Sequence, residues 1–84
     1  MRVKKNIAIS DSGFVFNPTT GDSYSLNQVG KEILQYLGEN RSKEEITSLM
    51  TSQYDIDAAS FEKYFFDFIG MLRQFELLEE SDAT

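Results

Sequence analysis

The chain has 84 residues, of which 40% are hydrophobic and 26% charged, with a formal net charge of −6. That is one small domain of ordinary globular composition, able to bury roughly 60% of its unfolded surface. It holds neither cysteine nor histidine, which excludes disulfides, thiol nucleophiles, Cys- or His-based metal centres and the usual general base.

The charge is uneven. Residues 1–26 carry three basic and two acidic side chains, residues 27–84 five basic and twelve acidic. An acidic helical half repels phosphate backbones and argues against a nucleic-acid partner. No apolar run approaches a membrane span, and Met1-Arg2-Val3-Lys4-Lys5 lacks a signal-peptide stretch. The expected location is the cytoplasm.

Residues 7–26 read as strands. Ile7/Ile9, Phe14/Phe16 and Tyr24/Leu26 each alternate with smaller or polar residues. Asp11-Ser12-Gly13 and Asn17-Pro18-Thr19-Thr20-Gly21 are the turns between them. The product is a three-stranded antiparallel meander, with Ile7, Ile9, Phe14, Phe16, Tyr24 and Leu26 expected on the face that packs on helices.

Asn27 is an N-cap for a first helix with the stripe Val29, Ile33, Leu34 and Leu37, and Gly38 suits its C-terminal position. Ser42 and Glu45 form a capping box for a second helix, which buries Ile46, Leu49 and Met50 and ends near Tyr54. Asp57 caps the third helix, which runs to about Phe75. At 100° per residue, Phe61, Phe65, Phe68, Leu72 and Phe75 fall on one stripe. Tyr64 and Met71 flank it on one side and Ile69 on the other, while Phe66 departs from the pattern. Leu77-Leu78 should pack back on the core, and residues 79–84 should fray. The order βββααα defines an α+β, winged-helix-like fold, a single domain with an ordered core of about residues 6–78.

Nothing in this pattern points to catalysis, a cofactor or a metal. The acidic pairs Glu44/Glu45, Glu79/Glu80 and Asp55/Asp57 serve as caps, helix N-terminal charges or solvated tail. DNA reading by the third helix would rest on Lys63 and Arg73 alone, set among Glu62 and Asp67. Peptide binding has a clearer basis. The third strand, Asp22 to Leu26, is a sheet edge with no Lys, Pro or bulge to defend it, so it can accept an extended peptide as a further strand.

From Tyr24-Ser25-Leu26-Asn27-Gln28-Val29-Gly30-Lys31-Glu32-Ile33-Leu34, the chain resembles the PqqD family of small peptide chaperones, also called RiPP recognition elements. The likeness continues through Leu37-Gly38, Ser42 with Glu45-Ile46, Tyr54, Phe68-Ile69 with Leu72, and Leu77-Leu78. The resemblance implies a non-enzymatic domain that binds the leader of a ribosomally made precursor peptide. It presents that peptide to a modifying enzyme, often a radical SAM protein. The implied strand positions are Asp22, Ser23, Tyr24, Ser25 and Leu26. On the third helix they are Tyr64 and Met71 on one flank, or Phe66, Ile69 and Arg73 on the other.

The family often has Asp in place of Tyr64 and Gly in place of Glu76. The first change makes the helix face more apolar, and the second predicts a different helix ending. The implied state is a monomer or weak dimer. The alternatives are a winged-helix DNA binder and a scaffold module that pairs with itself through the same edge.

Overall fold

The computed structural model describes residues 2–79. Its elements run β1 (Arg2–Val3), β2 (Ala8–Ile9), β3 (Phe14–Asn17), β4 (Asp22–Ser25), α1 (Gln28–Gly38), α2 (Lys43–Gln53), α3 (Ala58–Gln74) and β5 (Leu78–Glu79). Strands β2-β3-β4 form the expected antiparallel meander, with β4 at one edge. A second, two-stranded sheet pairs Arg2 with Glu79 and Val3 with Leu78. Glu79 is therefore paired rather than frayed, and the rest of the expected tail, 80–84, lies outside the described residues.

Each helix starts where its cap predicts. The Asn27 side chain accepts from the Gly30 N–H at 2.8 Å, and Ser42 and Glu45 exchange both capping-box bonds. The Asp57 carboxylate takes the Ser60 hydroxyl at 2.8 Å and its N–H at 3.0 Å, which holds its pKa below the usual carboxylate range.

Helix ends depart from expectation in detail. Gly38 lies inside α1, and Asn40 takes the left-handed conformation at φ 64° just beyond it. Glu76 does the same after α3, at φ 59°. The Glu76 N–H donates to the Arg73 carbonyl (3.0 Å) and the Leu77 N–H to the Leu72 carbonyl (2.9 Å). That is a full Schellman closure, so α3 stops where a glycine would have stopped it, with a glutamate in the strained position.

The core lies between the helices and one face of the meander. Ile33, Leu34, Leu37, Ile46, Met50, Phe61, Phe65, Phe68, Ile69 and Leu72 are buried, and Leu77 and Leu78 close it from the C-terminal side. The sheet face is opposite to expectation for β3. Val15 is buried, whereas Phe14 and Phe16 are 47% and 40% exposed. Pairing explains this: Val15 stands opposite both Ile9 and Tyr24, so these three share the inner face, while Phe16 pairs with Ala8 and Ser23 on the outer one.

Asn17 also points inward and is buried. Its side-chain oxygen accepts from the Thr19 N–H, and its amide faces the Glu76 carbonyl at 3.5 Å. A polar residue with both ends occupied can take an inner position that a phenylalanine does not.

Gly13 holds the β2–β3 turn against the end of β4. It has φ 90°, its carbonyl accepts the Leu26 N–H at 2.8 Å, and a Cβ there would lie 2.8 Å from the Leu26 oxygen. Lys31 of α1 ties the same turn down by donating to the Asp11 carbonyl at 2.7 Å.

Because Glu76 carries a side chain at positive φ, Glu76→Gly should stabilise the fold by roughly 0.5–1 kcal/mol, read as a higher midpoint in urea at unchanged slope. An unchanged or lower midpoint would contradict the strain assigned to this position.

Candidate functional site

Among the described residues, strand β4 has a neighbour on one side only. The Leu26 N–H turns inward to Gly13. Alternation along an antiparallel strand then turns the Tyr24 backbone inward as well, and points the N–H and C=O groups of Ser23 and Ser25 outward. The open row predicted from the sequence is thus carried by these two serines. Neither terminal strand occupies it, since β1 and β5 pair with each other.

Which flank of α3 faces β4 is settled by aromatic contacts. The Tyr24 ring stacks on Phe75, centroids 4.5 Å apart and planes 26° from parallel. Tyr64 stacks on Phe68 at 6.2 Å and 9°. Tyr64, Phe68, Met71 and Phe75 are spaced i, i+4, i+7, i+11, one line along the helix. The strip beside the open edge therefore consists of Tyr24 and Leu26 on the strand side and these four on the helix side.

Gly30 lets α1 approach this line closely: a Cβ there would sit 3.1 Å from Phe68. Phe68 and Phe75 were legible only as core stripe. Their spacing from Tyr64 and Met71 was the signal that they also line the strip.

The other predicted helix residues lie elsewhere. Phe66, Ile69 and Arg73 are on the opposite flank, where with Lys43, Glu62 and Phe65 they line a cavity of about 190 Å³ facing the start of α2. Phe66 is 77% exposed and Ile69 is buried. The structure does not bring these three to the strand edge.

Burial and the nearby carboxylates of Asp22 and Glu76 raise the Tyr24 phenol above its ordinary pKa. Asp22 begins β4, at the Tyr24 end of the strip. Tyr54 is raised by burial and by the bond its hydroxyl donates to Glu32 (3.1 Å). Among the described residues no cluster of acidic side chains could hold a metal ion, and no helix is long and apolar enough to cross a membrane.

Fold and site together define a winged-helix-like domain with an undefended strand edge beside an apolar helix line. A family model described as coenzyme PQQ synthesis protein D (PqqD) matches residues 13–78. The chain belongs to the PqqD family. No curated protein matches its sequence.

Among solved structures, TbiB1 in complex with the TbiA(beta) leader peptide is similar over 96% of this chain and 98% of that one, with 28% identity and a TM-score of 0.87. A lasso peptide synthetase B1 complexed with the leader peptide shares the fold, at 21% identity over 87% of this chain and 89% of that one, TM-score 0.78.

The sign of the tyrosine shifts gives a test. Both phenols are favoured as neutral groups in the fold. Their contribution is complete below the ordinary phenol pKa and is lost as pH rises from there through the raised value. Tyr24→Phe and Tyr54→Phe should each remove one late-ionising step from an ultraviolet absorbance titration. A titration unchanged by either variant would refute the assigned environment.

Proposed function

We propose that this domain binds, without catalysis, the leader region of a ribosomally synthesised precursor peptide, and presents it to a modifying enzyme. The observation that carries the reading is the outward pair of backbone groups at Ser23 and Ser25, beside the strip formed by Tyr24, Leu26, Tyr64, Phe68, Met71 and Phe75. An added strand satisfies the serines' donors and acceptors, and alternate guest side chains rest on the strip. Family membership and the leader-bound state of TbiB1 support the same reading. The absence of histidine and cysteine fits a recognition role.

Presentation needs a second surface. Phe14 and Phe16 stand exposed on the outer face of the sheet that the guest would extend. We assign this face to the modifying enzyme, because a guest strand beside β4 and the two phenylalanines would then form one continuous surface. Such exposed apolar area otherwise burdens a small domain.

Ser25→Pro removes an outward donor and leaves the inner ladder intact, a change tolerated at an edge. It should weaken leader binding roughly three- to tenfold by calorimetry, with little change in melting temperature. Tyr24→Pro removes an inward donor and the stack on Phe75, and should destabilise the fold itself. Equal leader affinity in a folded Ser25→Pro protein would rule out strand addition in this register.

The double variant Phe14→Ser, Phe16→Ser should leave leader affinity unchanged and slow processing by the cognate enzyme. Unimpaired processing would exclude the outer face as the presenting surface.

A further inference from the structure

The flank of α3 that β4 does not use carries a second surface. The cavity beside Phe66, Ile69 and Arg73 does not stand alone. Two of its lining residues, Lys43 and Phe65, also line a cavity of about 350 Å³ at the start of α2. Two residues of that one, Leu37 and Asn40, line a third cavity of about 290 Å³ against Arg2 and Lys5. The three therefore form a row, from β1 past the bend between α1 and α2 to the outer flank of α3. No residue of β2, β3 or β4 lines it.

The row has an apolar floor and a basic rim. Leu37, Phe65 and Ile69 are buried beneath it. Arg2, Lys5, Arg41, Lys43 and Arg73 stand exposed along it, five of the chain's eight basic side chains. Among the described residues its acidic lining is Glu45 and Glu62. The Glu45 carboxylate accepts the Ser42 N–H at 2.9 Å, inside the capping box. In a chain with fourteen acidic side chains, this is a local reversal of sign. Lysine and arginine stems can lie on such a floor while their charged heads stay in water.

The middle of the row is held in place. The Asn40 N–H donates to the Leu37 carbonyl at 3.0 Å and the Arg41 N–H to the Tyr36 carbonyl at 3.1 Å. The Arg41 guanidinium bonds Glu39 at 2.8 Å and lies 5.6 Å from the centre of the Tyr36 ring. At the α3 end Phe66 is 77% exposed, and the strip beside β4 gives it no role. A phosphate backbone would use the cations and gain nothing from this ring or from the apolar floor. An acidic stretch of polypeptide with an apolar side chain would use all three.

We propose that this row docks an acidic segment of a partner protein, its carboxylates along the rim and one apolar side chain against Phe66 and Ile69. The proposal does not depend on strand addition at β4. The strip and the outer sheet face stay open, so a guest peptide and this partner can be held at once.

The test uses the full chain, labelled for backbone amide spectra, and a short acetylated peptide of the repeat Glu-Leu-Glu-Phe. One control peptide has glutamine for glutamate, a second has serine for both apolar residues, and an oligouridylate supplies phosphate. The acidic apolar peptide should shift the amides of Leu37, Asn40, Phe65 and Ile69 saturably, more weakly as salt is raised, and leave Ser23 and Ser25 at rest. Each control peptide should bind roughly tenfold more weakly or worse.

The double variant Lys5→Glu, Lys43→Glu should cost roughly tenfold or more in affinity for the same peptide. Its melting temperature should hold, because Lys43 opens α2, where the helix dipole favours an acid, and Lys5 lies between β1 and β2. Phe66→Gln should cost roughly threefold or more with the fold intact.

An acidic peptide that shifts Ser23 and Ser25 instead has added to the sheet edge, and the proposal fails. It fails also if the glutamine peptide binds as well as the acidic one, or if oligouridylate moves the same amides more strongly. Light scattering that shows a dimer of the chain, lost in the double variant, gives the row to a second copy and overturns it too.

Discussion

Two contacts fix the line of side chains beside β4: the Tyr24 ring on Phe75 and the close approach of Gly30 to Phe68. The first ties the sheet edge to the last turn of the helix. The second lets α1 press on the middle of the same line of side chains, which no larger residue would allow without moving Phe68. A strip of apolar side chains lies between edge and helix. Without the stack, β4 would be an edge strand with no defined partner surface. With it, backbone groups and apolar side chains are offered together, and a guest must satisfy both.

The helical half was legible because its signals are local. Asn27, Ser42 with Glu45, and Asp57 start helices through bonds made within one turn. The stripe of α3 follows from angular spacing, and even Phe66 is exposed as its position demands. The sheet was legible only up to a choice. Alternation says that Phe14 and Phe16 share a face and Val15 and Asn17 the other, but not which one is inner. Size favoured the phenylalanines. The answer came from cross-strand partners and from the contact of the Asn17 amide with the Glu76 carbonyl, neither of them local to the strand.

The site divides in the same way. An undefended edge could be read from the absence of Lys and Pro in Asp22 to Leu26. The flank of α3 could not, because apolar residues lie on both sides of its stripe. Tyr24 decides between them by stacking on Phe75 rather than on the Phe66 side. The outward serines needed one more non-local fact, the bond from Leu26 to Gly13. The ribbon of β1 and β5 left no trace, since two-residue strands have no period to detect.

That ribbon has a kinetic consequence. It joins residues almost a whole chain apart, so its loop-closure entropy is prohibitive until the helices have shortened the path between them. The clasp belongs to the late steps of assembly, and it is the natural place for the native state to begin to come apart. The leucines it holds, Leu77 and Leu78, are both buried in the core, so opening the clasp loosens the packing there first.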